Sequence, residues 1–128
     1  LKLDNFYFLG NLPQTILAEI NNLAHIAVVP SRDEPFGLVA LEALACGTPV
    51  IATNTGGLSD FINENVGRLI AENDSDALAE AIILSLKEND KEKKGKKAWK
   101  YAHENFSWKR VTNELQSLYN SVLEEAGK

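Results

Sequence analysis

Two carboxylates, Glu34 and Glu42, bracket the stretch of this chain best placed to do chemistry, with seven residues between them. Pro35 keeps Glu34 out of α geometry, so Glu34 belongs to extended or turn backbone just ahead of a helix. Gly37 lets the backbone approach closely whatever faces that helix start. From Gly37 to Cys46 nearly every side chain is apolar, which predicts a helix buried all round. Glu42 is the exception. An ionised carboxylate on such a helix is costly unless a cation pairs with it or a cavity opens beside it. The two acids are displaced by ~8 Å along the axis. Between them lie the backbone N–H groups of Gly37, Leu38 and Val39, at the positive end of the helix dipole. Carboxylates take hydroxyl donors and repel phosphate, so the layout suits a ligand with an anion in its middle and hydroxyls at both ends.

The elements around this stretch alternate. Phe6-Tyr7-Phe8-Leu9, closed by Gly10, reads as a short buried strand, and Pro13 suits the first position of a helix carrying Ile16, Leu17, Ile20 and Leu23 on one face. Ile26 to Val29 reads as a second strand, stopped by Pro30-Ser31, and Val50 to Thr53 as a third. A short helix from Leu58 to Ile62 and a fourth strand from Val66 to Ile70 follow. Asp74 or Ser75 caps a helix with the stripe Leu78, Ala81, Ile82, Ser85 and Leu86. A polar helix runs from Lys91 to about Asn105. Ser107 caps the last one, whose Val111, Leu115, Leu118, Tyr119 and Val122 should face inward. The fold class is therefore α/β: a Rossmann-like parallel sheet of about four strands, helices on both faces and a helical C-terminus. Ligands of such sheets bind beyond the carboxyl ends of the strands. The loops Gly10–Leu12, Pro30–Gly37 and Asn54–Gly57 should converge there. A nucleotide diphosphate sugar matches the layout, with diphosphate at the helix start, sugar hydroxyls on Glu34 and the ribose diol on Glu42.

Bulk properties narrow the field. One domain of 128 residues is large enough for a core without disulfides or metals. A net charge of −5 argues against nucleic acid as the main partner. A single cysteine, Cys46, allows no internal disulfide and fits a reducing, cytoplasmic compartment. No apolar run approaches the ~20 residues of a membrane span. The chain starts at Leu1 without a methionine, so the true N-terminus is expected upstream.

The run Glu34-Pro35-Phe36-Gly37-Leu38-x-x-x-Glu42-Ala43-Leu44-Ala45-x-Gly47-x-Pro49-Val50 resembles the Glu-x7-Glu signature of retaining glycosyltransferases with the GT-B fold. That family includes glycogen synthases, sucrose synthases and many bacterial glycan-building enzymes. Phe8-Leu9-Gly10, Pro30-Ser31, Gly56-Gly57 and Phe106-Ser107-Trp108 agree with it as well, so the likeness covers nearly the whole chain. The resemblance implies that residues 1–128 are a fragment of the C-terminal, donor-binding domain. It implies Glu34 and Glu42 as the catalytic carboxylates, Glu34 on the donor hexose and Glu42 on the ribose. Phe36, Gly37, Leu38 and Val39 would face the sugar and diphosphate, with Gly10 and Leu12 by the base and Gly56 and Gly57 close to the ligand. It further implies a metal-independent reaction with no cofactor beyond the nucleotide-sugar donor, retaining anomeric configuration by front-face attack. An N-terminal acceptor domain, or a partner chain in its place, is missing from this sequence. So is the preceding segment whose Arg and Lys normally neutralise the diphosphate. The isolated chain is accordingly expected to transfer no sugar. Two other readings stay open: a non-catalytic sugar-nucleotide-binding or structural partner subunit, and an unrelated doubly wound binding domain.

Several features carry plainer readings beside sharper ones. Glu42 could pair with Arg68 or a lysine, and Glu34 could be a solvated loop charge. Asp74-Ser75-Asp76 resembles a metal-binding Asp-x-Asp but sits at a helix start, where capping is the reading taken. Lys91, Lys93, Lys94, Lys96, Lys97 and Lys100 form a basic run, read as a solvated helix face, with peripheral contact to anionic membrane as the alternative. Cys46 reads as a small core residue. His25 and His103 lack metal partners by spacing.

Overall fold

The computed structural model describes residues 4–88 and 91–127. Helix α1 (Gln14–Leu23) leads to β1 (Ala27–Val29), α2 (Leu38–Ala45), β2 (Val50–Thr53), α3 (Leu58–Phe61) and β3 (Gly67–Ile70). Three helices follow: α4 (Ser75–Lys87), α5 (Lys91–Phe106) and α6 (Trp108–Ala126). The strands form a parallel sheet in the order β1-β2-β3, with Ala27 opposite Val50 and Val50 opposite Gly67. All four residues of β2 are buried, as the β-branched run after Pro49 predicts for a central parallel strand. Helix α2 lays Ala40, Ala43 and Leu44 against β1 and β2, and α5 closes over α2 with Gly95, Ala98 and Ala102 buried. Asp74 accepts from the Ala77 N–H at 2.8 Å and Ser107 from the Arg110 N–H at 3.4 Å, so both capping readings hold. Among the described residues no helix is long and apolar enough to cross a membrane.

Three expectations are corrected. Phe6–Leu9 is not a strand, and the sheet has three strands where about four were expected. The segment is apolar but has no ladder partner among the described residues, and Phe8 is 92% exposed. Nor is α2 buried all round: Leu38 and Val39, in its first turn, are 63% and 59% exposed. Finally, the apolar stripe of α6 does not face inward. Val111, Leu115, Leu118, Tyr119 and Val122 are all exposed, because α5 is the main element against which α6 packs. The α4 stripe is intermediate, with Ala81 buried, Leu78, Ile82 and Ser85 half-buried and Leu86 exposed.

Candidate functional site

The site is built from two loops locked together at the carboxyl edge of the sheet. The loop after β1 carries Glu34, and its Ser31 and Arg32 carbonyls accept hydrogen bonds from the hydroxyls of Thr53, at the end of β2, and Thr55, in the loop that follows. The Gly57 N–H donates to the Glu34 carbonyl at 2.9 Å. This contact is so close that only glycine fits. A Cβ on Gly56, whose φ is +46°, would collide with the Glu34 carbonyl oxygen. One on Gly57 would stand 2.6 Å from Phe36 Cα and 2.7 Å from the Pro35 carbonyl oxygen. The close approach made by these two glycines is therefore to the Glu34–Phe36 turn.

Glu34 is half-buried and folded over its own turn. Its Oε1 accepts from the Gly37 N–H at 3.0 Å and its Oε2 from the Ser31 hydroxyl at 3.4 Å. Glu34 is thus no solvated loop charge; its carboxylate closes its own turn onto the N–H of Gly37, the residue at the N-cap of α2. Of the three amides expected to be free, Gly37 is taken by Glu34. Those of Leu38 and Val39 have no protein acceptor among the described residues. Gly37 has φ +98°, and its missing Cβ would lie 2.6 Å from Leu58 Cδ2, which seats the helix start on α3. The Phe36 ring stacks into a cluster with Phe61 and Phe106, at centroid distances of 5.7 and 6.2 Å.

Glu42 sits one turn further along α2, half-buried, and lines a hollow of about 650 Å³. Gln14, Phe36, Leu38, Leu41, Phe106 and Trp108 share that hollow. Among the described residues Glu42 makes no ion pair; its Oε1 accepts from Gln14 Nε2 at 3.3 Å. Arg68, the expected alternative partner, pairs with Glu88, which also binds Lys94. Arg68 lines a different hollow, with His25, Ile26 and Pro49 from the opposite edge of the sheet. The acid on the apolar helix is accommodated by the open hollow and not by a cation. Burial, with the Glu42 carboxylate adding to it, pushes the Cys46 thiol up, as suits a packing residue.

Gly10 (φ +65°) and Leu12 lie just ahead of α1 and do not leave a strand. Neither lines the hollow beside Glu42. Most of the basic run is engaged on the chain's own surface. Lys96 pairs with Glu92, Lys100 with Glu104, and Lys97 donates to Asn65 at 3.0 Å. His103 stacks on Trp99. Among the described residues no three His, Cys, Asp or Glu side chains form a metal-ligand set. Sequence reasoning missed Gln14 and the Phe106–Trp108 wall of the hollow. Both come from elements distant in sequence; Phe106-Ser107-Trp108 is part of the family likeness but was given no place in the site, and no local pattern marks Gln14.

Comparison with known proteins places the chain in a class. Residues 1–104 match the family described as Glycosyl transferases group 1, and the chain belongs to that family. It is 40% identical over 123 residues to D-inositol 3-phosphate glycosyltransferase of Geodermatophilus obscurus, covering 95% of this chain and 27% of that protein. To N-acetyl-alpha-D-glucosaminyl L-malate synthase of Bacillus anthracis it is 32% identical over 124 residues, covering 95% and 32%. Among solved structures, sucrose-phosphate synthase of Thermosynechococcus elongatus superposes with a TM-score of 0.86 at 38% identity, over 95% of this chain and 31% of that one. Anabaena HepE in complex with UDP and glucose gives 0.80 at 25% identity, over 90% and 32%. HepE in complex with UDP-glucose gives 0.74 at 25%, over 82% and 30%. The chain thus spans between a quarter and a third of each of these relatives. These neighbours are consistent with the expected Rossmann-like, GT-B class.

Proposed function

We propose that this chain is the donor-binding part of a retaining glycosyltransferase that uses a nucleotide diphosphate sugar. One observation carries the reading. Glu42 has no cation partner among the described residues and borders an open hollow, one turn beyond the unpaired Leu38 and Val39 amides. In this reading those amides meet the diphosphate. Glu42 takes the ribose hydroxyls. Each Glu34 oxygen keeps a second lone pair while it accepts from Ser31 and Gly37, so the carboxylate can still accept from the sugar. Gly56 and Gly57 act by holding the Glu34 turn, and Gly10 and Leu12 lie by the base. The HepE complexes with UDP and UDP-glucose support a ligand of this kind.

In the transfer itself, an acceptor hydroxyl attacks the anomeric carbon from the face the phosphate leaves. The bond from that carbon to the phosphate oxygen breaks, and the acceptor proton passes to the leaving phosphate. No metal takes part in the proposed step. The cations that neutralise the diphosphate and the wall that excludes water come from outside these residues, so the chain alone turns over no sugar.

Calorimetric titration of the protein as its gene encodes it, with UDP-, GDP- and ADP-glucose, tests the reading. One of these donors should bind, and Glu42→Gln should weaken it about tenfold or more. Affinity unchanged by that substitution would overturn the ribose-binding role of Glu42. Turnover by the purified 128-residue chain would overturn its assignment as an incomplete enzyme.

A further inference from the structure

Gln14 is a polar side chain of the hollow to which the proposed function gives no task, and it touches Glu42. It is the first residue of α1, which packs on α2. Its carboxamide does not cap its own helix, whose start has no side-chain cap. It reaches across to α2, where Nε2 donates to Glu42 Oε1 at 3.3 Å. The two groups form a polar pair beside Leu38, Leu41 and Ala45 in the same hollow. A glutamate carboxylate turns freely about its terminal bond. A donor held on one oxygen restricts that rotation, and Oε2 is left with no protein donor among the described residues. An acceptor so arranged is aimed at a hydroxyl, and it accepts with the strength of a charged group.

We propose that Gln14 is a positioning residue that orients the Glu42 carboxylate toward a ribose hydroxyl of the donor, so that the Gln14–Glu42 pair distinguishes ribo- from deoxyribonucleotides. The proposal rests on the reading of Glu42 as the ribose-binding acid. The probes are UDP, GDP and ADP with their 2′-deoxy and 3′-deoxy counterparts, titrated into the protein as its gene encodes it. For the nucleotide that binds best, the ribo form should exceed one of its deoxy forms by about tenfold or more. Gln14→Leu and Gln14→Ala should each reduce that ratio to within about threefold. Affinity for the deoxy form and the melting temperature should not change, which separates lost selectivity from lost folding.

If both Gln14 variants keep the full ratio while Glu42→Ala abolishes it, Gln14 has no positioning role and the ribose-binding acid stands. Should Glu42→Ala also keep the ratio, or the unaltered protein bind none of the three nucleotides, the reading of Glu42 fails and the role of Gln14 with it.

Discussion

Replacing Gly56 by alanine tests whether the two site loops are held by backbone contact. At φ +46° an alanine costs about 1–2 kcal/mol from left-handed geometry alone. Its Cβ would also collide with the Glu34 carbonyl oxygen, which is backbone and cannot rotate aside. The loops must therefore part, and the bond from the Gly57 N–H to that same carbonyl, 2.9 Å long, is lost or stretched. A hydrogen bond of this kind contributes about 1 kcal/mol net. Together the two effects come to about 2–3 kcal/mol, a lowering of the melting temperature by roughly 6–15 °C for a domain of this size. Gly10→Ala is the matched control. Gly10 has φ +65°, but its Cβ would meet nothing within 4 Å, so only the conformational cost applies, roughly 3–10 °C. Thermal unfolding followed by circular dichroism reads both. If Gly56→Ala proves no more damaging than Gly10→Ala, the loops are not locked through this contact and the Glu34 turn is held some other way.

Two further outcomes follow from the charges. Removing the Glu42 carboxylate with Glu42→Gln eliminates one of the two causes that raise the Cys46 thiol, so iodoacetamide should alkylate Cys46 about two- to threefold faster at pH 8. An unchanged rate would mean that burial alone sets that thiol. Hydrogen bonds from Lys94 and then Arg68 hold the Glu88 carboxyl below its ordinary value. That contribution to stability is present above the unfolded carboxyl pKa and is lost as pH falls through the lower folded value. Glu88→Gln should accordingly flatten the fall in melting temperature between pH 5 and pH 3, and salt should shrink the difference because the group is over a third exposed. Parallel acid limbs for the two proteins would refute this.

The local signals in this sequence are legible where the structure answers to them locally. Asp74 and Ser107 cap the helices they were read to cap, and the β-branched run after Pro49 is the buried central strand. The turn at Glu34-Pro35-Phe36-Gly37 leads into a helix, as Pro35 and Gly37 require. The site is legible in part. The spacing of Glu34 and Glu42 announces two acids at a helix start, but not that Glu34 would occupy the Gly37 amide, nor that Gln14 would reach Glu42. Those contacts join elements separated by turns and crossovers, and a carboxylate reads the same in sequence whether it caps a helix or meets a ligand.

The misread segments share one physical cause. An apolar pattern reports that a surface avoids water, and it is silent on where the covering surface comes from. Phe6–Leu9, the first turn of α2 and the stripe of α6 are each apolar, and each is exposed. Ala40, Ala43 and Leu44, equally apolar, are fully covered because β1 and β2 lie beneath them. The difference tracks topology and not hydrophobicity. Residues facing the three-stranded sheet are covered, whereas those ahead of α1, in the first turn of α2 or out along α6 are not. Exposed apolar surface on this scale marks contact regions. Leu38 belongs to one of them and also lines the hollow beside Glu42. The first turn of α2 is thus where an open hollow and an uncovered apolar surface coincide.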